Sequence, residues 1–273
     1  MTVADVNDDL RRLSVAVEMH EANVWADCFD AAAALPGNPL GATVDRSVTP
    51  PLALLTAIDS VEINRLVGLG LVSPATPETV ADVIDFYRLH GQSTFRIEVS
   101  PAASPPDLAQ TLEMAGLRLA DDTITKMWSS TERLPPPSKE VEVRRLGREH
   151  RDAVSELNVL AWGAWTAVDP VRIWFGATVG TKGFHHYGIF DGDRLVSVGA
   201  LAVTGTFGWV GFAATHPHYR GHSFRRSINL VRLAEAREFG CRIVHVEIET
   251  AYASSPKLPF EKLCERAVYS PIL

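Results

Sequence analysis

FGWVGFAATHPHYRGHSFRRSINLVRLAEAREFGCRIVHVEIET, residues 207–250, is the stretch on which the reading of this chain turns. It reads as a strand (Phe207–Thr215), a turn carrying Pro217, the tetrapeptide Tyr219-Arg220-Gly221-His222, a helix over Ser223–Phe239 stopped by Gly240, and a second strand (Arg242–Thr250). A loop with Gly and Arg that feeds a helix start is an anion site in the making. The first amides of a helix have no partner within it, and the helix dipole favours negative charge there.

Upstream of this stretch, Phe184–Phe190 and Arg194–Val203 read as strands joined by Asp191-Gly192-Asp193, a hairpin signal, and Thr204-Gly205-Thr206 turns the chain into Phe207–Thr215. Three antiparallel strands therefore lead into the anion loop, and helices over Arg148–Trp162 and Pro170–Thr178 precede them. A helix is expected downstream at Leu258–Glu265. Residues 134–140 hold three consecutive prolines, Pro135, Pro136 and Pro137, and mark a linker between a unit at 1–133 and a unit at 141–273. The first unit repeats the plan of the second, with a strand (Val61–Leu71), a helix (Pro77–His90), Gly91, a strand (Thr94–Ser100), and a helix (Pro106–Ala115) ending at Gly116. Gly91 and Gly240 are 149 residues apart, and so are Glu98 and Glu247. Strand–helix–strand units of this kind imply crossovers between neighbouring parallel strands.

Composition narrows the function. The chain has 273 residues, 46% hydrophobic and 22% charged, as in ordinary globular proteins. Its net charge is −7, split as −10 over residues 1–140 and +3 over 141–273. An acidic chain is poorly suited to neutralising phosphates, so no nucleic-acid partner is expected. No apolar run is long enough for a membrane helix, and the start, MTVADVNDDL, is not laid out as a signal peptide. Three scattered cysteines, Cys28, Cys241 and Cys264, point to reduced thiols and a cytoplasmic protein. His216, His218 and His222 have no carboxylate or thiol at ligand spacing, so no metal is expected. Nucleotide motifs rich in glycine are absent.

The order helix, helix, hairpin, strand, anion loop, helix, strand resembles the GNAT acyltransferase superfamily. The likeness rests on Thr215-His216-Pro217-His218-Tyr219-Arg220-Gly221-His222, on Ala234 to Cys241, and on Phe260-Glu261-Lys262-Leu263, which resembles the last helix of that fold. The resemblance implies an α/β protein of two tandem GNAT-like domains, each a mixed, mostly antiparallel sheet flanked by helices, the first degenerate. It also implies acetyl-CoA as co-substrate, held by Arg220, Gly221, His222, Ser223, Phe224 and Arg225, with the pantetheine arm beside Ala213, Ala214 and Thr215. Two departures stand out. Ser223 and Arg225 replace small residues of the family pattern, and Phe260 stands where many members have a Tyr that protonates the departing thiolate.

The expected activity is acetyl transfer to a small-molecule amine by direct attack, since Cys241 opens a buried strand and is no activated nucleophile. Glu249 is the leading base candidate, with Glu247 on the same strand face, and Tyr252 the candidate acid. Trp162, Trp165 and Trp174 are candidates for the acceptor wall. The alternative is a non-catalytic acyl-CoA sensor. Oligomeric state is left open, a homodimer included.

Overall fold

The structure is a computed structural model describing residues 3–133, 141–163, 168–249 and 260–272. The elements are α1 (Val3–Ala33), β1 (Ala42–Asp45), β2 (Leu52–Leu55), β3 (Arg65–Val67), α2 (Pro77–Leu89), β4 (Arg96–Val99), α3 (Leu108–Met114), β5 (Leu117–Leu119) and β6 (Ile124–Ser130). They continue with β7 (Arg144–Leu146), α4 (Arg151–Trp162), α5 (Val168–Ala177), β8 (Phe184–Asp191), β9 (Arg194–Thr204), β10 (Phe207–Thr215), α6 (Phe224–Glu238), β11 (Ile243–Glu249) and β12 (Glu261–Pro271).

The local signals act as expected over the middle of the second half. Gly192 and Gly205, both at φ +58°, close the β8–β9 and β9–β10 hairpins, and Gly240 at φ +84° ends α6. β3 and β4 are parallel across α2, as β10 and β11 are across α6. A mixed, mostly antiparallel sheet flanked by helices results.

That sheet has ten strands in the order β3-β4-β12-β6-β11-β10-β9-β8-β7, with β5 on β12. Strands from before and after residues 134–140 alternate at its centre, β12 lying between β4 and β6 and β6 between β12 and β11. Residues 134–140 themselves lie outside the described residues.

Two expectations fail. Over the described part of the helix placed at Leu258–Glu265 the chain is a strand instead: Glu261–Pro271 is β12, bonded to strands on both sides. Pairing with strands more than 130 residues away overrides whatever the local sequence prefers. The strand placed over Val61–Leu71 shrinks to β3, because Gly68 (φ +93°) and Gly70 (φ +77°) bend the chain out of extended geometry.

One face of the sheet packs α1 and α5 around Trp25, Phe29, Trp174 and Trp209. The other packs α6 through Ile228 and Leu233 onto Leu201, Val210 and Val244. A third cluster, Val80, Ile84, Tyr87 and Phe95 among its members, unites α2 and α3 with β3 and β4.

Candidate active site

β10 and β11 pair only at Phe207↔Ile243, Gly208↔Val244 and Trp209↔His245, and then part. Two things separate them. β11 is held along its length by β6, from Ile243↔Ser130 to Glu249↔Ile124. β10 breaks its register with β9 between Gly211 and Ala214, a bulge in which Phe212 takes φ +46°. Gly211 is required there, since a β-carbon would run into the Trp209 ring. Arg232 of α6 donates from Nη1 to the carbonyls of Ala200 (2.7 Å) and Gly211 (2.9 Å), the ladder pair that borders the bulge.

The gap opens into a cavity of about 1190 Å³. Strand alternation assigns its two ends. On the α6 side the wall holds Val210, Val246, Gly221, Ser223, Arg225, Arg226, Asn229 and Arg232, and on the α1 side Trp25, Arg65, Trp174, Trp209, Phe212, Glu247 and Glu249.

The α6 end suits an anion. Ser223 occupies the N-cap in left-handed geometry (φ +61°), and its side chain caps no amide, so the first amides of α6 are left for a ligand. No carboxylate among the described residues pairs with Arg225 or Arg226. Arg232, 2% exposed, likewise has no carboxylate partner; burial, with Arg225 adding to it, lowers its pKa to about 9. The equivalent helix of the first half is closed to anions. Thr76 caps α2 by accepting from the Thr79 amide at 3.2 Å, Pro77 removes a donor, and Glu78 adds negative charge.

The wall gathers four of the nine residues expected to hold the co-substrate: Ala213, Gly221, Ser223 and Arg225. Arg220 instead donates to the Ala161 carbonyl at the end of α4 (3.1 Å), and His222 Nδ1 lies 3.2 Å from the Tyr219 carbonyl. Phe224 stacks on Tyr219. Ala214 is buried, its carbonyl accepting from Ser197 Oγ, and Thr215 Oγ1 meets the same hydroxyl at 2.8 Å. None of these five is in the cavity wall. Tyr252 and Trp165 lie outside the described residues. Trp162 and Trp174 are both in the wall, Trp162 at an exposed edge.

Glu249 lines the cavity but is exposed. Glu247 is the more unusual carboxylate. It accepts from Arg65 Nη1 at 2.7 Å and lies 3.5 Å from Arg266 Nη1. Burial raises its pKa to about 7, the charges of Glu21 and Glu98 assisting and Arg65 opposing. Behind it Arg266, fully buried on β12, binds Glu18 (2.6 Å), Glu98 (2.7 Å) and Glu21, and Lys126 also binds Glu21. The two glutamates that the repeat set 149 residues apart thus converge on Arg65 and Arg266.

Burial pushes the Cys241 thiol up to about 11 and Cys264 up to about 12, so neither supplies a thiolate. No group of His, Cys, Asp and Glu among the described residues could hold a metal ion. None of their helices is long and apolar enough to cross a membrane.

No family model and no curated protein matches the sequence. Solved structures do match the fold. A GCN5-related N-acetyltransferase from Kribbella flavida is 15% identical with a TM-score of 0.59, over 89% of this chain and 95% of that one. A tandem GNAT protein from the clavulanic acid biosynthesis pathway is 19% identical with a TM-score of 0.59, over 91% and 93%. The chain has a tandem GNAT fold.

Within the GNAT fold so assigned, four of the nine residues named for the co-substrate from the sequence line the cavity, and much of the wall was not named. Arg225, Asn229 and Arg232 recur at helical spacing along α6, a signal present in the sequence. Trp25 and Arg65 carry no local signal. Arg65 Cζ sits 3.8 Å over the Trp25 ring, a contact made only in the folded chain.

Proposed function

We propose that this protein transfers the acetyl group of acetyl-CoA to a small-molecule amine by direct attack within a ternary complex. The observation that carries the reading is the cavity through the sheet, with unclaimed amides and two unpaired arginines at one end and a carboxylate titrating near neutrality at the other.

The residues fit the co-substrate. The first amides of α6, with Arg225 and Arg226, would hold its diphosphate by charge-assisted bonds. The thioester supplies an acyl carbon activated towards amines. Glu247 takes the proton of the incoming ammonium, its raised pKa matching that task, while Glu249 and the acidic first half draw the cation to the cavity. Trp25, Trp174, Trp209 and Phe212 exclude water and bound the acceptor. Phe212 and Ala213 are in neither the β9 nor the β11 ladder, so their amides are free to donate to an oxygen on which negative charge develops. The buried thiols favour direct attack over a covalent enzyme.

A second reading, a non-catalytic acyl-CoA binder, draws support from Phe260, which stands in the cavity wall without a hydroxyl to protonate a thiolate. Thiol release from acetyl-CoA, followed across a panel of small amines, separates the two. The proposal expects release that depends on an amine and is abolished in Glu247→Ala. Binding of acetyl-CoA with no release from any amine would support the second reading.

A further inference from the structure

Arg232 is the most expensive side chain in the cavity wall. It is a buried cation with no carboxylate partner among the described residues, and its Nε has no hydrogen-bond partner. Taking a charge out of water without an opposite charge is strongly unfavourable, so an apolar residue would serve packing better. The surroundings are nevertheless built around it. Gly199 has no side chain where a β-carbon would come within 2.9 Å of the guanidinium carbon. Asn229, one turn earlier on α6, accepts from Nη2. Nη1 spans the carbonyls of Ala200 and Gly211, the last pair of the β9–β10 ladder before the bulge.

Those bonds fix one peptide plane. The Gly211 carbonyl and the Phe212 amide belong to the same planar trans peptide, so they point in opposite directions. With the carbonyl held towards α6 and β9, the amide is turned towards the side from which β11 has withdrawn. Phe212 must hold φ +46° to keep this arrangement, a left-handed conformation that is unfavourable for an aromatic residue.

We propose that Arg232 is a positioning residue for acyl transfer: by gripping the Gly211 carbonyl it locks the bulge and, through that peptide, aims and polarises the Phe212 amide at the thioester oxygen. This rests on the reading of the cavity as an acetyl-CoA site. The same bonds leave the reacting atoms untouched by Arg232 itself, so its removal weakens rate more than binding.

The test is infrared difference spectroscopy of acetyl-CoA labelled with carbon-13 at the thioester carbonyl, bound to the parent and to Arg232→Met and Arg232→Gln, with affinities measured alongside. The parent is expected to lower the carbonyl stretching frequency relative to water. Both variants should bind acetyl-CoA with unchanged affinity while losing that lowering. With a productive amine, kcat falls about 10²-fold at unchanged KM, as for loss of an oxyanion donor. A full frequency shift in the variants overturns the role of Arg232 and leaves the cavity assignment standing. Failure of the parent to bind acetyl-CoA overturns both. Should Arg232→Met not fold, Arg232→Gln, which keeps a donor without the charge, decides by the same readout.

Discussion

Glu247 makes a prediction whose size follows from its surroundings. An ordinary glutamate titrates at 4.5, and burial beside Glu21 and Glu98 moves this one to about 7 despite Arg65. That displacement corresponds to about 3 kcal/mol between the two protonation states. As general base it works only when ionised, so about half the molecules are competent at pH 7, about a tenth at pH 6 and about a hundredth at pH 5. The kcat profile, measured with an amine that titrates well above this range, should rise with unit slope from pH 5 and flatten above pH 7. Glu247→Gln should remove the limb and lower the plateau by about 10²–10⁴.

Stability must move the other way. The folded state holds this proton more tightly than the unfolded chain, so its contribution is full below pH 4.5 and lost as pH rises through 7. Urea unfolding at pH 8 should therefore find Glu247→Gln more stable than the parent, by up to about 3 kcal/mol, with the difference vanishing towards pH 4.5. A rate limb near pH 4.5, or one that survives the substitution, would refute the assignment.

Arg266→Met removes a buried cation from Glu18, Glu21, Glu98 and Glu247 and should cost about 3–5 kcal/mol, a fall in melting temperature of roughly 10 °C, with part recovered on adding Glu21→Gln. Equal stability of single variant and parent would show that the network does not hold β12. Ser223→Gly relieves a left-handed serine and should raise stability by up to about 1 kcal/mol in the same unfolding assay, whereas a loss would mean that the side chain stabilises the loop.

The span from β8 to β11 was legible because its boundaries are local. Glycines at positive φ close each turn, and a Gly-bearing loop opens α6. The Glu98–Glu247 repeat was legible too, although its meaning waited for β12. What local pattern could not show is where opposite charges meet. α1 carries Glu18, His20 and Glu21 on its buried face, and β12 carries Arg266 at its centre, so both look polar where they are interior. Their partners lie up to 248 positions away, and periodicity over a short window has no access to them. Arg220 also has a partner that the sequence does not show. It stands in the loop that should grip a phosphate, yet the end of α4 comes within reach and claims its guanidinium. Arg225, which replaces a small residue of the family pattern, lines the cavity without a carboxylate partner among the described residues.

The measurement closest to the central claim is a calorimetric titration of CoA into the parent and into the double charge reversal Arg225→Glu, Arg226→Glu. A diphosphate held at the start of α6 predicts a single site in the parent, weakened by the reversal well beyond tenfold, since each charge-assisted contact contributes about 1.5–3 kcal/mol. Binding of undiminished strength in the reversed variant, or no binding to a folded parent, would contradict the account.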